Sequence, residues 1–402
     1  MSTNRSALTR RNFLMTLGAG AALTPAALRA EDPPTTRPIR ERMPTRVFGR
    51  SGIRVPILSL GGIVDFPNNQ LILRQALQWG VTYWDTANSY NGGRSEEGIG
   101  KFFGQQKDTR GNIFLVTKSS NRNPAGLTEH LELSLRRMQT DTIDLFFIHA
   151  VKNAEQEISG DVRAWAESQK KAGRIKLFGF STHNNMPECL QAAARMGGID
   201  GVMLTYNYRL MREKNMQEAM DAAHRAGIGL TAMKTQGGGP VRADSEAELQ
   251  MAGRFLERGF TEGQAKLLAV WNDERIAAIC SQMPNINLLM ANISAALNNS
   301  KLDAREFALL RAHDRETRGA YCAGCTAHCE GAMGEAAEIG TVMRALMYRE
   351  YGDHEQARET FAGIPGDVRA RLDQLDYRPA EAACPRGLPI AHLMRSAAAR
   401  LA

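Results

Sequence analysis

From Val55 onward, short apolar runs recur along the chain. They are Ile57–Leu60, Thr82–Asp85, Ile113–Thr117, Leu145–His149, Leu177–Ser181, Gly201–Thr205, Gly229–Ala232 and Ala277–Ser281. Segments between them, such as Thr128–Met138 and Met216–Ala226, carry apolar residues at helical spacing. Strand alternating with helix predicts a parallel α/β fold. Eight strands in about 250 residues suit a (β/α)8 TIM barrel. The rival is a doubly wound sheet, but no Gly-x-Gly-x-x-Gly turn follows the first strand. Ser95-Glu96-Glu97 is expected to open a helix, with a capping hydroxyl and two acids in the first turn.

The ends of the chain break this rhythm. Residues 1–30 contain Thr9-Arg10-Arg11-Asn12-Phe13-Leu14, which matches the twin-arginine export pattern, followed by an apolar run rich in Gly and Ala. That run is too short to span a membrane. The expectation is a signal peptide, a partner in the twin-arginine export machinery and a periplasmic location. Residues 31–45, with four prolines between Glu31 and Met43, read as a linker, residues 46–300 as the barrel and 301–402 as an added, mainly helical region. Helices are expected there at about Met333–Glu350 and Glu355–Ala362.

With 402 residues the chain has ample length for a core. Its net charge of +7 is concentrated in part before residue 51. No basic stripe is interleaved with aromatics, so no nucleic-acid partner is implied.

Chemistry gathers at the strand ends. Asp85 closes one run and Tyr90 follows in a polar loop; Lys118 and His149 close the next two. In a (β/α)8 barrel those ends share the face that carries the reaction. Taken singly, Asp85 with Lys118 reads as a structural pair and His149 as a core histidine; together the four read as a site. Asp-Thr-Ala-x-x-Tyr, then Thr-Lys, then Asp-Leu-x3-His resembles the aldo-keto reductases, from about Arg46 to Asn299, beginning with the bottom hairpin Arg46-Val47-Phe48-Gly49-Arg50-Ser51-Gly52. The resemblance implies that Tyr90 is the general acid, Lys118 lowers its pKa, Asp85 pairs with Lys118 and His149 polarises the carbonyl of a small carbonyl or alcohol substrate.

For the nicotinamide cofactor the resemblance is partial. Ser181 matches the family's carboxamide-binding serine, and Asn292 keeps a family position. The usual Asn beside that serine is Thr182, the usual Gln is Met203, and the stacking aromatic is Met233. Gly237-Gly238-Gly239 offers backbone that a pyrophosphate can approach, or simply a flexible loop. After the last strand the cations that select NADP are missing from Ser281-Gln282-Met283-Pro284-Asn285. NAD, NADP and the loss of diffusible nicotinamide all stay open.

Four of the six cysteines, Cys322, Cys325, Cys329 and Cys384, lie in the C-terminal hundred residues. Cys322-x2-Cys325-x3-Cys329 and Cys384-Pro385 resemble, with departures, ferredoxin-like ligation and the iron–sulfur tails of some aldo-keto reductases. The resemblance implies one 4Fe-4S cluster; zinc, with or without His328, and two disulfides are the rivals. Cys189 and Cys280 read as core thiols. Two functions follow. One is an oxidoreductase with an accessory cluster and a redox partner protein. The other is a redox or binding module on a barrel that has lost nicotinamide chemistry.

Overall fold

The structure is a computed structural model that describes residues 43–298 and 300–401. The expected signal peptide and nearly all of the expected linker lie outside the described residues.

Among the described residues there are ten strands: β1 Thr45–Val47, β2 Arg54–Pro56, β3 Leu58–Gly61, β4 Tyr83–Asp85, β5 Phe114–Ser119, β6 Ile143–Ile148, β7 Ile175–Thr182, β8 Gly201–Thr205, β9 Gly229–Met233 and β10 Ile276–Gln282. β3 to β10 close into a parallel barrel in the order β10-β3-β4-β5-β6-β7-β8-β9. All eight predicted strands are there, within a few residues of their expected ends. β1 and β2 form the expected antiparallel hairpin, with Thr45, the last residue assigned to the linker, already opposite Pro56. The hairpin's Phe48 is fully buried and packs on Phe114 with ring centroids 5.6 Å apart.

The outer helices cover the barrel by amphipathic faces. Helix Lys214–Arg225 buries Met216, Ala219, Met220 and Ala223, an i, i+3, i+4, i+7 stripe. Helix Pro124–Arg137 starts with proline in its first turn and an Asn123 cap that accepts from the Gly126 N–H.

Ser95 departs from its expected role. Helix Arg94–Gln105 has Gly93 at its cap and no side-chain cap bond. The Ser95 hydroxyl is instead buried, donating to the Gly62 carbonyl at 2.6 Å and lying 2.7 Å from Thr86 Oγ1. Glu96 is also fully buried, where it accepts from Thr117 at 2.6 Å and pairs with Arg137 at 3.2 Å. Tertiary partners outcompete the local cap at both positions.

The C-terminal region builds on the barrel without a break at residue 300. Helix Ala304–Glu316 opens with a capping box of Asp303 and Glu306 and packs on helix Glu246–Glu257. Arg258 ties the two together through Glu306. Further on, helices Ile339–Glu350, His354–Ala362 and Ile390–Leu401 share a second core with Leu372, Tyr377 and Leu388. The first of these starts later than its apolar pattern suggests. Glu338 takes a left-handed backbone conformation at φ 48° and gives its carboxylate to Lys152 and Thr341. Among the described residues no helix is long and apolar enough to cross a membrane.

Candidate active site

Strand alternation aims the key side chains. Tyr83, Val116, Leu145 and Phe147 fill the barrel interior. Residues two further along, Asp85, Lys118 and His149, share that inward direction at the C-terminal mouth. Tyr90 joins them from the turn Tyr90–Gly93. Lys118 Nζ donates to Asp85 Oδ2 at 2.7 Å and to the Thr86 carbonyl at 2.7 Å, and stands 3.4 Å from the Tyr90 hydroxyl. The His149 ring meets the Tyr90 ring edge-on, with centroids 5.5 Å apart. The four residues read from strand ends are thus brought together.

Their electrostatics differ from the expectation in one respect. Burial, reinforced by Asp85, Tyr348 and Cys280, pushes the Tyr90 phenol well above 10. Arg344 pulls the other way without winning. Desolvation of a phenolate outweighs nearby positive charge here, so Tyr90 rests as a protonated donor. Burial, then Lys118 and Arg344, hold His149 well below 6.5, so its imidazole is neutral. Burial also raises Asp85 in spite of Lys118.

Two cavities meet at Tyr90. One, of about 390 Å³, is lined by Asp85, Met203, Met233, Lys234, Gly237 and Gly238 from the barrel and by Met347, Tyr348 and Tyr351 from above. The other, of about 300 Å³, runs past His149, Ala150 and His183 to Glu338, Arg344 and Tyr348. His183 and Tyr348 line both. Helix Ile339–Glu350 therefore roofs the barrel mouth. Lys234 Nζ donates to the Tyr348 hydroxyl at 2.6 Å, and Gln282 donates to Asp353 at 3.2 Å.

The residues expected to hold a cofactor divide. Gly237 and Gly238 line the larger cavity, but Ser181 and Asn292 do not. The Ser181 hydroxyl accepts from the Ala150 N–H at 3.0 Å, and Asn292 donates to Ser281 at 3.0 Å. The glycine run has a further reason to be glycine. A Cβ on Gly238 would lie 2.8 Å from the Tyr351 ring, and one on Gly239 would lie 1.9 Å from the Ala320 carbonyl oxygen. These positions let the C-terminal region dock. Cys280, expected in the core, lines the larger cavity beside Asp85, which together with burial raises its thiol. Cys189 is buried as expected. His183, Lys234, Arg344 and Tyr348 were not singled out from sequence, since nothing local sets them apart.

Cys322, Cys325, Cys329 and Cys384 come near one another although 55 residues separate the last two in sequence. Burial raises the first three to about 12, 11 and 12, and neighbouring thiols add to each: Cys325 and Cys384 on Cys322, Cys384 on Cys325, Cys322 and Cys325 on Cys329. Helix Arg378–Ala383 packs on helix Thr326–Cys329, which returns Cys384 to the loop. Leu388 and Ile390 are buried in the core that Cys322, Cys329 and Cys384 border. All six cysteines are free, so the disulfide alternative is not met. Among the described residues no three His, Cys, Asp or Glu side chains surround a single ion position.

The sequence profile of the aldo/keto reductase family matches residues 58–284. The chain belongs to the aldo/keto reductase family. It is 29% identical over 192 residues to the aldo-keto reductase yakc of Schizosaccharomyces pombe, named for NADP(+), covering 43% of this chain and 52% of that protein. It is 25% identical over 314 residues to the uncharacterized oxidoreductase YqkF of Bacillus subtilis, covering 68% and 97%. The match thus spans about half of the first relative and nearly all of the second. Among solved structures it resembles the holo form of aldo-keto reductase AKR11C1 from Bacillus halodurans, at a TM-score of 0.55 and 22% identity over 67% of this chain and 96% of that one. That likeness speaks for the fold. The aldo/keto reductase match ends before the C-terminal region begins.

Proposed function

We propose that this aldo/keto reductase reduces the carbonyl of a small molecule, or oxidises the alcohol, with Tyr90 as the acid. The observation that carries the reading is the Lys118 ammonium, held by Asp85 at 2.7 Å and lying 3.4 Å from the Tyr90 hydroxyl, with His149 against the same ring. Nicotinamide, as NAD or NADP, supplies the hydride when bound. The cavity of about 390 Å³ is within the size of cofactor sites, and Lys234, Gly237 and Gly238 border it. The carbonyl oxygen takes its proton from Tyr90, which burial keeps protonated. Lys118 stabilises the phenolate left behind. Neutral His149 donates a hydrogen bond to the same oxygen and, being uncharged at working pH, does not compete as an acid. Reduction adds one hydride to carbon and one proton to oxygen, so the alcohol forms without a further reactant.

Cys322, Cys325, Cys329 and Cys384 would hold one 4Fe-4S cluster. Zinc on the same four thiols is the alternative. A four-iron cluster takes one thiolate per iron, and what supports it here is the cysteine spacing and the neighbouring thiols that raise one another. Such a cluster supplies one-electron chemistry or a cross-link. A twin-arginine signal in residues 1–30 would export the folded, loaded protein to the periplasm, where a redox partner protein is its electron source or sink. The second reading, a module without diffusible nicotinamide, is favoured by Ser181 and Asn292, neither of which lines the cavity.

The test is Tyr90→Phe, assayed with NADH and NADPH on a panel of aldehydes and ketones. Turnover should fall by about 10²–10⁴-fold, and unchanged turnover would remove Tyr90 from the mechanism. Nicotinamide released on denaturing the purified protein separates the two readings.

A further inference from the structure

Helix Ile339–Glu350 lies outside the matched part of the chain yet supplies a wall of the smaller cavity. Arg344 stands on its second turn and is half-buried. It lines the cavity of about 300 Å³ together with Tyr90, His149 and His183. Every other cation at this mouth is engaged. Lys118 holds Asp85, Lys152 holds Glu338 at 2.6 Å, Arg122 holds Glu157 at 2.7 Å and the His149 carbonyl at 2.7 Å, and Lys234 holds the Tyr348 hydroxyl. The Arg344 guanidinium makes no hydrogen bond or ion pair with any described residue. Two carboxylates feel its charge without bonding it: Glu338, whose oxygen is taken by Lys152 and Thr341, and Glu330, which accepts from the Gly340 N–H and does not line this cavity, while Glu359 is exposed at the rim.

The Arg344 guanidinium carries five N–H donors in a planar fork suited to oxyanions, none of them bonded to a described residue. Around it His149 and His183 are neutral and Lys118 is committed, so the fork is the strongest recognition group facing the cavity. We propose that Arg344 anchors an anionic oxygen group, a carboxylate or a phosphate, on a small carbonyl substrate whose reacting oxygen meets Tyr90 and His149. This rests on the reading of Tyr90 as proton donor. It deepens that reading by assigning the substrate class and giving the C-terminal region a part in specificity. Arg344 also borders a small cavity of about 40 Å³ shared with Cys322, which offers a competing role in balancing charge at the thiol site.

Binding without turnover keeps the two readings apart. Calorimetry on the purified protein, with whatever metal it carries, would compare benzoate and phenyl phosphate with neutral benzyl alcohol. In the wild type at least one anion should bind more tightly than benzyl alcohol. In Arg344→Met that preference should fall at least tenfold, and Arg344→Lys should keep part of it, as a point charge replaces a fork. The preferred anion distinguishes carboxylate from phosphate. With 4-carboxybenzaldehyde against benzaldehyde, Arg344→Met should raise KM at least tenfold more for the acid, with the change in kcat alike for both. Anions that bind no better than benzyl alcohol, or an Arg344→Met protein that keeps the preference within twofold, would overturn the proposal. So would a variant that shifts only the reduction potential of the iron. An Arg344-dependent anion preference in a protein that reduces no aldehyde would instead support the anchor and count against the carbonyl reading.

Discussion

Lys118→Met isolates the charge buried at the centre of the site. The Asp85 and Lys118 side chains are 3% and 1% exposed and meet at 2.7 Å. Methionine keeps most of the volume but leaves Asp85 facing no cation. Removing one partner of a buried pair costs about 3–5 kcal/mol. Proton linkage sets a ceiling, because the folded variant can take up a proton on Asp85. With an unfolded pKa near 3.9, protonation at pH 7 costs about 1.36 × 3.1, or roughly 4 kcal/mol, and at pH 5 about 1.5 kcal/mol. The lost hydrogen bond to the Thr86 carbonyl adds about 1 kcal/mol at either pH. The folded pKa of Asp85 is already raised by burial in the wild type. Without Lys118 it rises further, so the folded state binds more protons than the unfolded state, and stability falls as pH rises from 4 toward that pKa. The difference from wild type should therefore be about 5 kcal/mol at pH 7 and about half that at pH 5. Denaturant unfolding followed by far-UV circular dichroism measures both. Adding Asp85→Asn to Lys118→Met should recover most of the loss at pH 7 without restoring turnover. A penalty equal at the two pH values, or no recovery in the double variant, would show that no buried carboxylate is being compensated.

Carbonyl reduction should hold its rate between about pH 6.5 and pH 10, because Tyr90 loses its proton only above that range and His149 gains one only below it; a pH profile of kcat with a descending limb near 8 would contradict the assignment. Cys384→Ser should give protein with less iron and a bleached visible band, read by iron analysis and absorbance on anaerobically purified material; unchanged iron would remove Cys384 from the ligand set. Changing Arg10 and Arg11 together to Lys should leave the protein in the cytoplasm on fractionation, whereas export as before would end the twin-arginine reading.

The barrel was legible because its strands are buried on both faces and so stand out as unbroken apolar runs. Asp85, Lys118 and His149 were legible because a polar residue ending such a run has few places to point. The thiols were legible as a spacing, and only the fold shows how Cys384 returns. What could not be read is what arrives from far along the chain. Ser95 has the composition of a cap, yet Gly62 and Thr86 claim its hydroxyl. Gly237 to Gly239 look like a ligand loop, and Tyr351 and Ala320 explain two of the three. The apolar pattern that begins at Met333 gives no hint that Glu338 will break it to reach Lys152, 186 residues away. Arg344 is one of many arginines until helix Ile339–Glu350 is laid over the mouth. Local pattern records what a residue prefers, while the partner that overrules it is set by tertiary packing.

The roof and the thiol site are parts of one structure. Helix Ile339–Glu350 is buried on nearly every side because the barrel mouth lies on one side of it and helices His354–Ala362 and Ile390–Leu401 on the other. The loop that starts at Cys322 is pinned to the same mouth. The Asn185 N–H donates to the Gly324 carbonyl at 2.8 Å, and a Cβ on Gly324 would lie 2.1 Å from the carbonyl oxygen of His183, whose ring lines both cavities. The far side is pinned by Arg386, two residues past Cys384, which is almost wholly buried between Asp314 at 2.9 Å and Glu213. A cluster shared by Cys384 with Cys322, Cys325 and Cys329 would therefore tie the segment after helix Arg378–Ala383 to the loop pinned at the barrel mouth. Because packed cores hold discrete arrangements rather than deforming smoothly, loosening that tie would be expected to shift the helix bearing Arg344 and Tyr348 together with the core it shares with helices His354–Ala362 and Ile390–Leu401. On the proposed reading of Arg344, the thiol site would bear on substrate recognition through position alone, whether or not electrons pass between the two.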